Sequence, residues 1–257
     1  YIHTYIIPNK HKRGGVHAHQ YNGGGIWKDG LNLQQIYEGG KAFEAFIDHP
    51  SWINKVKTFV GGQTSFDSSW GPLFIDECFA NFRGPGEAIG LHSGKTPMIK
   101  RNQYTISSSG EFGAYQVNVL VALTDIGKGD GGTMLIPGSH KANFEHPIVK
   151  EKLKQLRNGD LDAMRDVDGV PNAVEIYMNK GDAIVFSDAC AHGSARRVNA
   201  GYRKICVFRY QPSWANFRLP YRASDELLKR LTKPQREIVA PKWTKLYERT
   251  PQRKSKL

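Results

Sequence analysis

Tyr115-Gln116-Val117-Asn118-Val119-Leu120-Val121-Ala122-Leu123 is the stretch whose reading decides the fold. Tyr115, Val117, Val119, Val121 and Leu123 alternate with Gln116, Asn118, Leu120 and Ala122, the two-residue period that sends successive side chains to opposite faces of a strand. The first face is apolar and builds core. The second begins with two amides, so at that end it opens into a pocket. Around this stretch the same character recurs in shorter pieces, with strands expected over 73–82, 87–92, 112–123, 133–136, 173–178, 182–186 and 203–210. Turn sequences such as Gly84-Pro85-Gly86, Lys128-Gly129-Asp130-Gly131-Gly132 and Lys180-Gly181-Asp182 part them. Many short strands divided in this way predict a mainly β jelly roll with flanking helices.

Helices are expected over 40–48 and 51–59, where apolar residues recur at three- and four-residue spacing, and in the charged insert 146–158. Ser224 caps a further helix that begins Asp225-Glu226-Leu227-Leu228. The organisation expected over 1–257 is one domain, with a helical layer to residue 70 or so, a β core over about 71–212 and a helical tail over 213–257.

Composition narrows the functions open to the chain. No apolar run approaches the roughly 18 residues of a membrane helix, so no membrane partner is expected. The net charge is +12, but part of the excess sits in the tail at Lys242, Lys245, Arg249, Arg253, Lys254 and Lys256, without a nucleic-acid-binding signature. A solvated basic surface, or steering of a small anionic substrate, accounts for it better than a nucleic acid polymer does. Three cysteines, Cys78, Cys190 and Cys206, with no CxxC pairing fit a reducing compartment, and the cytoplasm is expected. Nothing in the sequence sets an oligomeric state.

Chemistry concentrates in Gly90-Leu91-His92-Ser93-Gly94 and Phe186-Ser187-Asp188-Ala189-Cys190-Ala191-His192-Gly193-Ser194. Each histidine follows a strand, and neutral imidazole is a ligand for non-haem iron, which such sites hold on two histidines and one carboxylate. That carboxylate normally stands two residues after the first histidine, where this chain has Gly94. A lone histidine is more often a structural residue, so the weight lies in the order: His92, the turn Ile136-Pro137-Gly138-Ser139-His140-Lys141, His192 and then Arg203 opening a strand. A guanidinium there offers a carboxylate two parallel hydrogen bonds. Arg196 and Arg197 compete for that role from a loop. Gln116 and Asn118 are either co-substrate contacts or partners of backbone groups, His140 belongs to its turn, and His17 and His19 are solvated or face substrate.

The chain resembles the phytanoyl-CoA dioxygenase-like family of Fe(II)- and 2-oxoglutarate-dependent enzymes. The resemblance rests on Val121-Ala122-Leu123-Thr124-Asp125-Ile126, on Asp130-Gly131-Gly132-Thr133-Met134-Leu135-Ile136-Pro137-Gly138-Ser139-His140-Lys141, on Gly181-Asp182-Ala183-Ile184-Val185-Phe186, and on His192-Gly193-Ser194 with Arg203. It implies a double-stranded β-helix, the cupin-like jelly-roll variant, with iron at one open end. It implies His92 and His192 as metal ligands, Arg203 as partner of the distal 2-oxoglutarate carboxylate, and Ser194 as a second hydrogen bond to it. Fe(II), 2-oxoglutarate and O₂ follow as cofactors.

Gly94 is the departure from that family pattern, and with Ser93 it marks the catalytic segment. Glycine there characterises the iron- and 2-oxoglutarate-dependent halogenases, in which chloride takes the vacant position and a substrate carbon radical recombines with chlorine. The expectation is therefore radical chlorination of an unactivated C–H bond in a small metabolite, with decarboxylation of 2-oxoglutarate to succinate. Two alternatives stay open: a hydroxylase whose iron is completed by water or by a carboxylate such as Asp188, and a non-catalytic binding module. Asp188 reads more readily as a structural or supporting residue. Arg83, Lys95, Lys100, Arg101, Arg196 and Arg197 point to an anionic substrate of the nucleotide or amino-acid type. The aromatic residues Trp70, Phe82, Tyr104, Phe112, Tyr115 and Trp214 either line its pocket or belong to the core.

Overall fold

The alternating stretch does become the centre of a sheet, but not as one strand. The computed structural model describes residues 17–20 by their backbone, and residues 31–65, 73–86, 88–93, 103–142, 144, 146–160, 170–215 and 223–240. Within it the expected strand over 112–123 divides into β6 (Phe112–Ala114) and β7 (Val117–Ala122). The break comes where the chain changes partners. β6 pairs with β5 (Tyr104–Ile106), whereas β7 runs between β10 (Ala183–Ser187) and β12 (Arg203–Pro212).

Two antiparallel sheets carry the jelly roll. The larger has the order β1 (His17–Gln20), β2 (Leu31–Gln34), β3 (Leu73–Arg83), β12, β7, β10. The smaller has the order β4 (Ile89–His92), β11 (His192–Ser194), β8 (Thr133–Leu135), β9 (Val174–Ile176). They face each other across Leu120, Ala122, Ile126, Met178, Ile205 and Val207, with Ile176 of the small sheet packed against this cluster. The alternation in β7 sorts its residues as required: Leu120 and Ala122 face the small sheet, while Val117, Val119 and Val121 turn outward into the main core.

That outer core is sealed by helices. α1 (Lys41–Glu44), α2 (Ile53–Ser65), α4 (Asp225–Arg230) and α5 (Lys233–Val239) bring Ile47, Trp52, Val56, Leu227 and Val239 onto Cys206, Phe208 and Tyr210. Each buried side chain of this size contributes about 1.5–3 kcal/mol. The Tyr210 hydroxyl fastens sheet to helices, donating towards the carbonyls of Phe46 (2.9 Å) and Ile47 (3.0 Å) and accepting from Trp52 Nε1 at 3.2 Å. Ser224 caps α4 as expected: its Oγ accepts from Leu227 N at 3.1 Å, and its own N–H and O–H donate to Glu38. The charged insert is helical as α3 (Pro147–Arg157).

Three readings need correction. The stretch expected as a helical layer contains β1 and β2, which extend the large sheet beyond β3; each has four residues, too few to display a period. The helix expected over 40–48 is regular only from Lys41 to Glu44. In the tail, Thr232 opens α5 with a reciprocal capping box to Gln235, a second helix that the sequence reading did not separate. Among the described residues no helix is long and apolar enough to cross a membrane. Trp70 and the basic tail beyond residue 240 lie outside the described residues.

Candidate active site

His92 closes β4, His192 opens β11, and antiparallel pairing sets them directly opposite each other. Their rings lie 4.1 Å apart between centroids, inclined at 56°. Each is held by the same device, with Nδ1 bonded to the backbone carbonyl two residues earlier: Gly90 O at 3.0 Å for His92 and Cys190 O at 2.7 Å for His192. A carbonyl oxygen only accepts, so Nδ1 carries a proton in both rings. Loss of hydration, and next the neighbouring His192 imidazole, hold His92 far below the usual imidazole range, so it is neutral at physiological pH. Two imidazoles set side by side, with His92 neutral and presenting its Nε2 lone pair, form a donor set that fits divalent iron.

A second polar cluster is built two residues along β11. Arg203, 2% exposed at the start of β12, donates from Nη1 to Ser194 Oγ (3.0 Å) and Gly131 O (2.6 Å), and from Nη2 to Asn81 Oδ1 (3.2 Å). Arg83 lies directly across the β3–β12 ladder and donates to Ala195 O. Gly131 must be glycine here. Its φ is +73°, and a Cβ would stand 2.2 Å from Arg83 Nη2. Arg197, the loop competitor, is occupied elsewhere: it pairs with Asp130 at 2.9 Å and donates to Ala200 O, bracing the Gly-rich turn, and Arg196 is exposed.

Gln116 and Asn118 face inward as the alternation requires. Gln116 Nε2 and Asn118 Nδ2 both donate to Asp188 Oδ1, at 3.3 and 2.9 Å, and Ser93 Oγ donates to Asp188 Oδ2 at 3.3 Å. Burial opposes ionisation of Asp188, but His192, Arg209, the Asn118 hydrogen bond and His92 together hold its carboxyl below the usual carboxylate range. Ser93 has the left-handed φ of +65°. Gly94, Lys95, Lys100 and Arg101 lie outside the described residues.

One pair went unread in the sequence. Arg209 of β12 stands opposite Asn118, forms an ion pair with Glu77 of β3, and lies over the Phe79 ring with its guanidinium carbon 5.4 Å from the centroid. Gln34 Nε2 reaches Glu77 Oε1 at 3.5 Å, so a polar row crosses the inner face of the sheet from β2 to Asp188. The only signal in the sequence is an arginine inside the apolar run Val207-Phe208-Arg209-Tyr210. His140 packs edge-on against Tyr104, ring centroids 5.0 Å apart, within its turn. Tyr115 and the half-exposed Trp214 meet edge to face. Phe82 is core, and the side chains of His17 and His19 are not among those described. A separate cavity of about 640 Å³, lined by Phe46, His49, Trp52 and Val185 among others, lies on the outer, helix-covered side of β7.

Residues 28–205 match the family model described as phytanoyl-CoA dioxygenase (PhyH). Among curated proteins, the dioxygenase cdmD of Talaromyces verruculosus is 26% identical over 130 residues, 49% of this chain and 36% of that protein. The peroxisomal phytanoyl-CoA dioxygenase of Rattus norvegicus is 27% identical over 95 residues, 36% of this chain and 27% of that enzyme. The matched stretches thus span about a third of these relatives. Among solved structures, HygX of Streptomyces hygroscopicus with nickel and 2-oxoglutarate bound superposes with a TM-score of 0.60 at 23% identity, covering 78% of this chain and 76% of that one. Its complex that also holds hygromycin B gives 0.54 at 20% identity, with 76% of each chain covered. These likenesses show the fold.

Proposed function

The chain belongs to the phytanoyl-CoA dioxygenase family, and from that premise we propose that it is an Fe(II)- and 2-oxoglutarate-dependent oxygenase that functionalises a C–H bond of a small polar molecule. The observation that carries this reading is the spacing along one short strand. His192 and Ser194 share a face of β11, so the His92–His192 pair and the Arg203–Ser194 pair open on the same interior. His92 and His192 would hold the iron through Nε2. Ser194 and Arg203 would take the distal carboxylate of 2-oxoglutarate, the guanidinium by a two-bond fork. When bound, the iron and co-substrate supply the oxidising chemistry, with O₂ as oxidant and succinate and CO₂ as by-products.

The protein's own contribution is placement. The backbone carbonyls of Gly90 and Cys190 fix both ring orientations, and burial of Arg203 keeps water from competing for the carboxylate. The Arg209–Glu77 pair and Gln34 line the approach with a donor and acceptors suited to a polar substrate, and Arg209 is the described guanidinium that best serves an anionic one of the nucleotide or amino-acid type. HygX, with hygromycin B bound, offers a small-molecule precedent in the same fold.

Gly94 supports a second reading, chlorination, because glycine there leaves room for chloride beside the iron. Anaerobic titration with Fe(II) and 2-oxoglutarate, followed by the visible charge-transfer band with and without chloride, separates the readings. A band indifferent to chloride is the expected result for an oxygenase. A band that moves with chloride would turn the assignment to a halogenase, and the absence of any band would leave a binding module.

A further inference from the structure

The cavity behind β7 gathers groups that the histidine pair does not use. Val121 and Leu123 of β7, Val185 of β10 and the indole of Trp52 give it apolar walls. The His49 imidazole lies against that indole, ring centroids 4.5 Å apart and inclined at 23°, and Phe46 is tilted onto the indole and edge-on to the imidazole. At about 640 Å³ the space has the size of a small-molecule pocket rather than of a packing defect.

The polar groups around it are donors. Lys55, from α2, and Lys180, from the turn leading into β10, both line the cavity and are exposed. The Lys55 ammonium donates to the Ser51 carbonyl at 2.9 Å, and among the described residues neither lysine forms an ion pair. His49 Nδ1 accepts from Ser51 N at 3.3 Å, so its ring proton lies at Nε2, a third donor in the lining. The one carboxylate among the lining residues, Asp182, serves its own turn, its Oδ2 accepting from Asn179 N at 2.7 Å. The Trp52 N–H is likewise committed, to the Tyr210 hydroxyl.

We propose that this cavity is a second ligand site, taking a small organic anion with an arene-sized apolar body and one carboxylate. The body lies among Trp52, Val185 and Leu123, where aromatic side chains offer it ring contacts. The carboxylate points to Lys55 and Lys180, which answer its charge. The site stands on the outer side of β7, away from His92 and His192, and does not depend on the oxygenase reading.

Titration of the full chain with 2-naphthoate, followed by saturation-transfer NMR of the ligand with 2-oxoglutarate present in excess, tests this, with neutral 2-naphthamide as the comparison. The parent is expected to bind naphthoate saturably with a Kd below about 1 mM, and more weakly as salt is raised. Lys55→Gln with Lys180→Gln is expected to weaken naphthoate by about fivefold, to remove the salt dependence and to leave naphthamide within about twofold. Val185→Trp, which fills the cavity, is expected to weaken both probes by about tenfold or more, with a thermal melt to establish that it is folded. The Fe(II)–2-oxoglutarate band should be the same in the parent and the lysine variant, which keeps this test separate from that of the histidine pair. The proposal is overturned if the parent shows no saturable binding up to about 5 mM, or if the lysine variant or a folded Val185→Trp protein binds naphthoate within about twofold of the parent.

Discussion

Replacing Arg203 with lysine tests the proposed co-substrate end of the site while retaining its charge. The guanidinium uses two nitrogens in two directions, Nη1 towards Ser194 Oγ and Gly131 O and Nη2 towards Asn81 Oδ1. One ammonium cannot serve both, and it meets a carboxylate as a point charge rather than a fork. The lost term is one hydrogen bond to a charged group, about 1.5–3 kcal/mol, which corresponds to a roughly 10- to 150-fold rise in the dissociation constant for 2-oxoglutarate. Ser194→Ala deletes a neutral partner, for which about 0.5–1.5 kcal/mol, or roughly 2- to 12-fold, is expected. The assay is anaerobic titration of the Fe(II)-loaded protein with 2-oxoglutarate, with a thermal melt of each variant to establish that it is folded. A folded Arg203→Lys protein that binds 2-oxoglutarate within threefold of the parent would refute the assignment of Arg203 as the carboxylate anchor.

Two further outcomes concern the scaffold. Tyr210→Phe strips Trp52 Nε1 of its acceptor and the Phe46 and Ile47 carbonyls of a donor; a loss of about 2 kcal/mol is expected, seen as a fall of roughly 4–8 °C in Tm, and an unchanged melt would show that this hydroxyl does not fasten α1 and α2 to the sheet. Burial opposes ionisation of Asp130, but the Gly127 N–H, the Asn199 amide and Arg197 outweigh it and hold the carboxyl below its ordinary value. A group depressed on folding contributes its stability above the unfolded pKa of about 3.9 and loses it as pH falls through the folded value. Denaturant melts should therefore show the parent ahead of Asp130→Asn by a constant margin above about pH 5 and the margin closing in more acid solution; a margin that persists at about pH 2 would contradict this origin.

What the sequence revealed depended on how local each signal was. His92, His192, Ser194 and Arg203 sit at strand ends within short motifs, and the structure brings them together because antiparallel register does the remaining work. The alternation through Gln116 and Asn118 gave their face correctly, but not that both amides serve Asp188, which lies 72 and 70 residues away in the chain. Glu77 and Arg209 were out of reach, being 132 residues apart and set opposite each other beside a register shift between Arg209 and Tyr210. β1 and β2 escaped because four residues in a Gly-rich setting carry too little period to register. The placement of local motifs was legible; pairings made by the fold were not.

With His92 and His192 as the proposed iron ligands, their placement on partner strands also ties metal binding to folding. The two rings meet only when β4 and β11, formed from segments far apart along the chain, lie in register. These strands have four and three residues, and the small sheet is backed by the six-residue cluster of Ala88, Leu91, Met134, Ile136, Ala191 and Ala195. An ion held by both histidines acts as a staple across that short ladder, and because the unfolded chain has no such site, occupancy stabilises the native state as the logarithm of metal concentration over its dissociation constant. Chelation should therefore loosen the small sheet before the large one, with amides of β4, β8 and β11 exchanging their hydrogens while those of β7 and β12 stay protected.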